Sequence, residues 1–140
     1  EDMPFEIGKG ILLQEGTDVT IVATGHLVWE SLLAADELEK EGISCEIINI
    51  HTIKPLDEEI ILKSVEKTGK LVSAEEHNFL GGLGESIAGM LSRRRPTPQE
   101  FVAVHDTFGE SGTPAELMKK YQIDAEAVVK AVKKIIERTK

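Results

Sequence analysis

The chain alternates short apolar runs with longer segments of helical periodicity, and this alternation constrains its fold more than any other feature. Val19-Thr20-Ile21-Val22-Ala23 is almost wholly apolar and β-branched, the pattern of a strand covered on both faces. A helical segment follows over about His26 to Glu41, with Leu27, Val28, Leu32, Leu33, Ala35 and Leu38 as its apolar stripe. Strand-like runs return at Ile43–Ile50, Leu71–Glu75 and Phe101–Val104, each followed by a segment with helical periodicity. Connections of that length are crossovers, which make neighbouring strands parallel and put helices on both faces of the sheet. The expected fold class is α/β, a three-layer α/β/α sandwich. Ile11-Leu12-Leu13 reads as a further short strand, closed by Glu15-Gly16.

The punctuation agrees with this reading. Gly42 and Gly69 sit where C-terminal glycines end helices. Asp57 precedes Ile60-Ile61 as an N-cap, and Pro55 keeps His51–Leu56 out of helix. A glycine-rich turn, Glu76 to Gly84, opens a helix over about Glu85 to Ser92, closed by Arg93-Arg94-Arg95-Pro96. Thr113-Pro114-Ala115-Glu116 has the form of a capping box with proline at the first helical position. A short helix is expected to Tyr121, then a second one capped by Asp124 and running to about Arg138.

Charge and composition exclude several functions. A formal net charge of -9 argues against nucleic acid or an anionic membrane as partner. Aromatic residues make up only 4%, too few for base-stacking platforms. No apolar run approaches the roughly 20 residues that span a bilayer. A single cysteine, Cys45, excludes an internal disulfide framework, fits a cytoplasmic protein, and reads as a small buried hydrophobe. Abundant Glu and Lys with scarce Asn and Gln lean toward a thermophilic source. Residue 1 is Glu, and Glu1-Asp2-Met3-Pro4 does not read as a secretory signal. The expectation is a fragment cut at a domain border, with residues 1–10 entering from an upstream domain and residues 11–140 forming one domain.

Ligands of parallel sheets collect at the carboxyl ends of the strands. Three segments fall there: Thr24-Gly25-His26, His51 to Pro55, and Glu75 to Gly84. A glycine-rich turn entering a helix offers free N–H groups and a positive dipole end, which suit an anion. The same glycines also serve tight strand-to-helix packing, and the spacing is neither a dinucleotide fingerprint nor a P-loop. The four histidines lack metal-ligand spacing. Ser111 has no nucleophile-elbow context and reads as turn chemistry. These residues alone give a soluble α/β module without a self-sufficient catalytic constellation.

Four segments carry a family resemblance: Asp18–Gly25, Asn49–Asp57, Glu75-Glu76-His77 with Gly81-Gly82-Leu83-Gly84, and Phe108–Leu117. With these the chain, from about Gly8 to Ile136, resembles the C-terminal domain of transketolase, a thiamine-diphosphate-dependent enzyme. The Phe108-Gly109-Glu110-Ser111 segment favours transketolase. Lys-Pro-Leu-Asp and Gly-Gly-Leu-Gly are shared with 1-deoxyxylulose-5-phosphate synthase and the 2-oxoacid dehydrogenase β subunits, the alternatives. The resemblance implies a mixed five-stranded sheet with one antiparallel strand. Ile11–Leu13 is the candidate for it, with Gln14–Asp18 as a hairpin-like turn. It also implies a cytoplasmic, dimeric enzyme of the pentose phosphate pathway that moves two-carbon ketol units between sugar phosphates. Thiamine diphosphate and a divalent metal would lie between two upstream domains. This sequence lacks the Gly-Asp-Gly motif that binds them and the activating glutamate.

No catalytic, cofactor-binding or metal residue is therefore assigned, and the isolated chain is expected to be inactive. His51, Glu75, His77, Gly81, Gly82, Gly84 and Ser111 are candidate ligand or domain-interface positions. The expected partners are the upstream domains and a second copy of the parent, with an apolar patch left bare in the isolated domain. A free-standing module that holds an anionic metabolite at Gly81–Gly84 is the competing reading.

Overall fold

The structure, a computed structural model, describes residues 8–76, 82–104 and 112–140. Among these residues there are five strands, β1 (Ile11–Gln14), β2 (Val19–Ala23), β3 (Cys45–Asn49), β4 (Leu71–Glu76) and β5 (Gln99–Val104). Among the same residues four helices join or follow them: α1 (Leu27–Glu39), α2 (Glu58–Thr68), α3 (Leu83–Arg94) and α4 (Pro114–Arg138). The sheet order is β1-β3-β2-β4-β5. β3, β2, β4 and β5 are mutually parallel, and β1 is antiparallel to β3. The expected mixed five-stranded sheet within three layers is what forms.

Alternation along the central strands builds two cores. Val19, Ile21 and Ala23 of β2 join Cys45, Ile47, Val72 and Ala74 beneath α1 and α4. Val22, Ile48 and Leu71 join Ile61, Val65, Ile87 and Met90 of α2 and α3 on the other face. Thr20 points to that second face, and its hydroxyl bonds Ser64 at 2.6 Å and Thr68 at 2.7 Å, so its burial leaves no orphaned group.

β1 departs from the hairpin expectation. It lies beyond β3 at the sheet edge, with β3 between it and β2. Gly16 makes this route possible, because a side chain there would collide with the backbone of Cys45 as the chain crosses the start of β3. The Gly16 N–H donates to Glu46 Oε1 at 2.9 Å, and Lys67 Nζ donates to the same oxygen at 2.6 Å. Burial works to raise the Glu46 carboxyl, but these donors, with the Ser64 hydroxyl and the Lys67 charge, outweigh it and hold the group below its usual range.

Two helices also differ from expectation. α4 is one continuous 25-residue helix, so Asp124 is not an N-cap. Nothing between Tyr121 and Asp124 breaks a helix, and Asp124 Oδ2 instead accepts a 2.7 Å bond from Lys120 Nζ one turn back. In α1 the buried face is Leu27, Glu30, Ser31, Ala34, Ala35 and Leu38. Val28 and Leu32 are only partly buried, and Leu33 is 39% exposed. The other boundaries follow their caps: Asp57 accepts from Ile60 N–H, Gly69 ends α2 at φ +78°, and Thr113 and Glu116 complete their capping box.

Candidate functional site at the carboxyl ends of the strands

At the end of β4 a carboxylate closes the turn. Glu75 is buried, with Oε1 accepting from Leu83 N–H at 2.7 Å and Oε2 from Gly84 N–H at 2.9 Å. Both oxygens thus satisfy the first free donors of α3, where the dipole favours negative charge. Gly82 is the N-cap position at φ +20°, and a Cβ there would approach Glu75 Oε1 at 3.4 Å. A Cβ on Gly84 would come within 2.6 Å of the Phe101 ring and 2.9 Å of Ser73 Oγ. Gln99 Nε2, reaching across from β5, also bonds Gly84 O at 3.0 Å. The glycines let α3 sit close on β4 and β5, and the space where an anion would sit is filled by the chain's own carboxylate.

The other helix starts at this end are closed from within as well. The first N–H groups of α1 donate to the carbonyls of Thr24, Gly25 and His26. Asp57 caps α2 and also accepts from Gly10 N–H at 2.8 Å. Thr113 caps α4. A diphosphate needs free donors or cations, and a divalent metal needs clustered oxygen ligands. Among the described residues no group of three or more His, Cys, Asp or Glu could hold a metal ion. The described residues therefore do not fit a thiamine diphosphate–metal pair.

Glu75, Gly82 and Gly84 come together as one unit. His51 lies just past β3, two strand spacings (about 10 Å) from β4, with β2 between them. His77, Gly81 and Ser111 lie outside the described residues, as does the Phe108–Ser111 segment. Cys45 is buried as expected, and burial pushes its thiol up to about 12. Among the described residues no helix is long and apolar enough to cross a membrane.

Sequence reasoning missed a second cluster, between α1 and α4. Glu30 is 0% exposed, and neither carboxylate oxygen has a well-formed hydrogen bond. Burial pushes its carboxyl above the usual range. Its own backbone N–H works against that push, and Asp124 reinforces it. The Lys120–Asp124 pair is itself buried. His26 Nε2 stands 3.6 Å from Glu76 Oε2 at the mouth of this seam, with the imidazole largely exposed. Gly25, Trp29 and Tyr121 bound a groove there of about 490 Å³. The one available signal was Glu30's place at helical spacing from Leu27 and Ala34.

Comparison with known proteins identifies the fold. The profile of the family described as transketolase, C-terminal domain, matches residues 8–128. A 6-deoxy-6-sulfo-D-fructose transketolase subunit of Clostridium sp. (strain MSTE9) is 46% identical over 138 residues, 99% of this chain and 43% of that one. A putative transketolase C-terminal section of Methanocaldococcus jannaschii is 42% identical over 133 residues, 94% of this chain and 41% of that one. A solved structure described as a split gene transketolase, inactive beta4 tetramer, superposes with a TM-score of 0.82 at 45% identity, covering 96% of this chain and 44% of that one. More distant relatives are a 1-deoxy-D-xylulose-5-phosphate synthase of Heliobacterium modesticaldum, 37% identical, and a pyruvate dehydrogenase E1 β subunit of Bacillus subtilis, 42% identical over 94 residues. This chain spans less than half the length of these relatives. It belongs to the transketolase C-terminal domain family.

Proposed function

We propose that this chain is the C-terminal, non-catalytic domain of a thiamine-diphosphate-dependent transketolase that moves two-carbon ketol units between sugar phosphates. In this reading the cofactor and its metal are held by preceding domains, which residues 1–10 join to the domain of residues 11–140. The domain serves as a scaffold and contact surface, and the parent assembles as a cytoplasmic homodimer. His51, His77, Gly81, Gly82 and Ser111 then face neighbouring domains at the strand ends, while the buried Glu75 and Gly84 shape the turn from within.

The observation that carries this reading is the Glu75 carboxylate seated on the α3 N-terminus. It removes the best anion site at the strand ends and so weakens the metabolite-binding alternative. The higher identity to transketolase subunits than to the synthase supports ketol transfer, as does the Phe108–Ser111 segment.

The test is turnover. The 140-residue chain is assayed with thiamine diphosphate, Mg²⁺, a ketose phosphate donor and an aldose phosphate acceptor, alone and joined to the preceding domains of its parent. Ketol transfer only in the joined form supports the reading. Transfer by the isolated chain, or pyruvate decarboxylation by the joined form, contradicts it.

A further inference from the structure

The connections of the sheet diverge between β2 and β4. β2 leads through α1 to β3 on one side, and β4 leads through α3 to β5 on the other. Open α/β sheets bind ligands in the crevice outside such a switch point. Glu76 ends β4 and Thr24-Gly25-His26 follow β2, so the 3.6 Å approach of His26 Nε2 to Glu76 Oε2 falls at that crevice. The groove of about 490 Å³ beside it is lined by His26, by Val28, Trp29, Glu30 and Leu32 of α1, and by Tyr121 of α4.

The orphaned polar atoms here are carboxylate oxygens. Glu30 is 0% exposed, and neither of its oxygens has a hydrogen bond; Glu76 Oε2 is buried and has none either. Acceptors in that state call for a donor. The seam behind the groove sets two carboxylates, Glu30 and Asp124, against one ammonium, Lys120, which is committed to Asp124 at 2.7 Å. Burial pushes the Glu30 carboxyl up and its own backbone N–H pulls it down. Asp124 adds to the push, while Lys120 and His26 oppose it. A further cation in the groove acts as Lys120 does: it ionises Glu30, whose proton leaves to solvent.

The lining narrows the class of ligand. It holds no Lys or Arg among the described residues, so nothing there neutralises an anion. No group of three or more His, Cys, Asp or Glu among the described residues could hold a metal ion. An ammonium group brings three donors and no acceptor. Trp29, 57% exposed, and Tyr121 supply aromatic rings, whose faces attract cations.

We propose that this groove binds a small primary ammonium ligand, its NH3+ group seated on the Glu30 carboxylate and its aliphatic chain against Trp29 and Tyr121. Binding is read without turnover, so it stands or falls separately from ketol transfer.

The experiment titrates the 140-residue chain with butylammonium chloride over about 0.1–50 mM, a range set by what so few non-hydrogen atoms can contribute. NaCl holds the ionic strength, and 1-butanol and butyrate are the neutral and anionic counterparts. Binding is followed by calorimetry and by the fluorescence of Trp29, the only tryptophan. The expected result is saturable binding of butylammonium at pH 7 and none of the counterparts. Glu30→Gln keeps the shape, removes the charge and weakens binding at least about tenfold. Trp29→Ala weakens it about two- to fivefold by calorimetry. Circular dichroism checks that both variants keep the fold. In wild type the affinity falls from pH 7 to pH 5 as Glu30 recovers its proton. His26, Glu76, Lys120 and Asp124 are the other charged or titratable groups around this end of the seam. The fall persists in His26→Gln and flattens in Glu30→Gln. No saturable binding at pH 7 overturns the proposal, as do equal binding of 1-butanol and a Glu30→Gln chain that binds as wild type does. A pH dependence abolished by His26→Gln overturns the assignment to Glu30.

Discussion

Replacing Glu75 by Gln tests the reading of the glycine-rich turn with an isosteric change. The carboxylate gives one acceptor to Leu83 N–H at 2.7 Å and another to Gly84 N–H at 2.9 Å. Gln supplies one acceptor and turns an NH2 group toward the other N–H, so a donor faces a donor. Leaving one buried N–H without an acceptor costs about 1–3 kcal/mol. Losing the charge at the helix N-terminus costs about 0.3–1 kcal/mol more. Easier burial of a neutral side chain offsets part of this, for a net loss of about 2 kcal/mol. In a domain of this size that lowers Tm by about 6–8 °C. The assay is urea unfolding with a thermal scan, the m-value serving as control for a change in the unfolded state. Glu75→Ala carries a second consequence, because it vacates the helix N-terminus. Phosphate or sulfate then restores about 1.4 kcal/mol at ten times its Kd, while the wild-type chain gains nothing. A Glu75→Gln Tm within about 1 °C of wild type would refute the argument. So would phosphate stabilising wild type and Glu75→Ala equally.

Three further outcomes follow from the same structure. Gly84→Ala forces a methyl against the Phe101 ring and Ser73 Oγ, and overpacking of this kind costs about 1–3 kcal/mol in urea unfolding. Adding Phe101→Ala recovers part of that loss. Lys120→Met strands Asp124 in the α1–α4 seam and costs about 3–5 kcal/mol, while Lys120→Met with Asp124→Leu lies much closer to wild type. The Glu30 carboxyl is raised in the folded chain by burial, so its protonated form is the one the fold favours. Stability at this group is complete below the ordinary carboxylate range and falls as pH rises through the folded value. Glu30→Gln therefore matches wild type near pH 4 and exceeds it near pH 8, read as Tm against pH. A Gln variant that loses more stability at pH 8 than at pH 4 would reverse the assigned sign.

The sandwich was legible because its strands and caps are local signals. Val19–Ala23 reads as a doubly buried strand from five residues, and it is buried throughout. Asp57, Gly69 and the Thr113–Glu116 box act where the sequence placed them. The errors come from what local signals leave out. The short Gln14–Asp18 segment suggests a hairpin, yet it crosses the edge of β3 because Gly16 tolerates backbone contact. Asp124 is a good cap in isolation, but no Gly or Pro precedes it, and a buried Lys120 one turn back gives its carboxylate a partner. The α1 stripe was chosen by hydrophobicity, whereas its packed face takes in Glu30 and Ser31 and leaves Trp29 and Leu33 outside. At the candidate site the sequence showed the glycines and the carboxylate separately. That Glu75 turns back onto the helix eight residues later is a tertiary fact, and it decides between an open anion site and a closed one.

Calorimetric titration of thiamine diphosphate with Mg²⁺ into the 140-residue chain, and into the same chain joined to the preceding domains of its parent, tests the central claim most directly. The account predicts saturable heat in the joined form and only dilution heat in the isolated chain, with inorganic phosphate equally silent. Saturable binding by the isolated chain would contradict it, because a ligand would then occupy strand ends that the chain's own acceptors are held to fill.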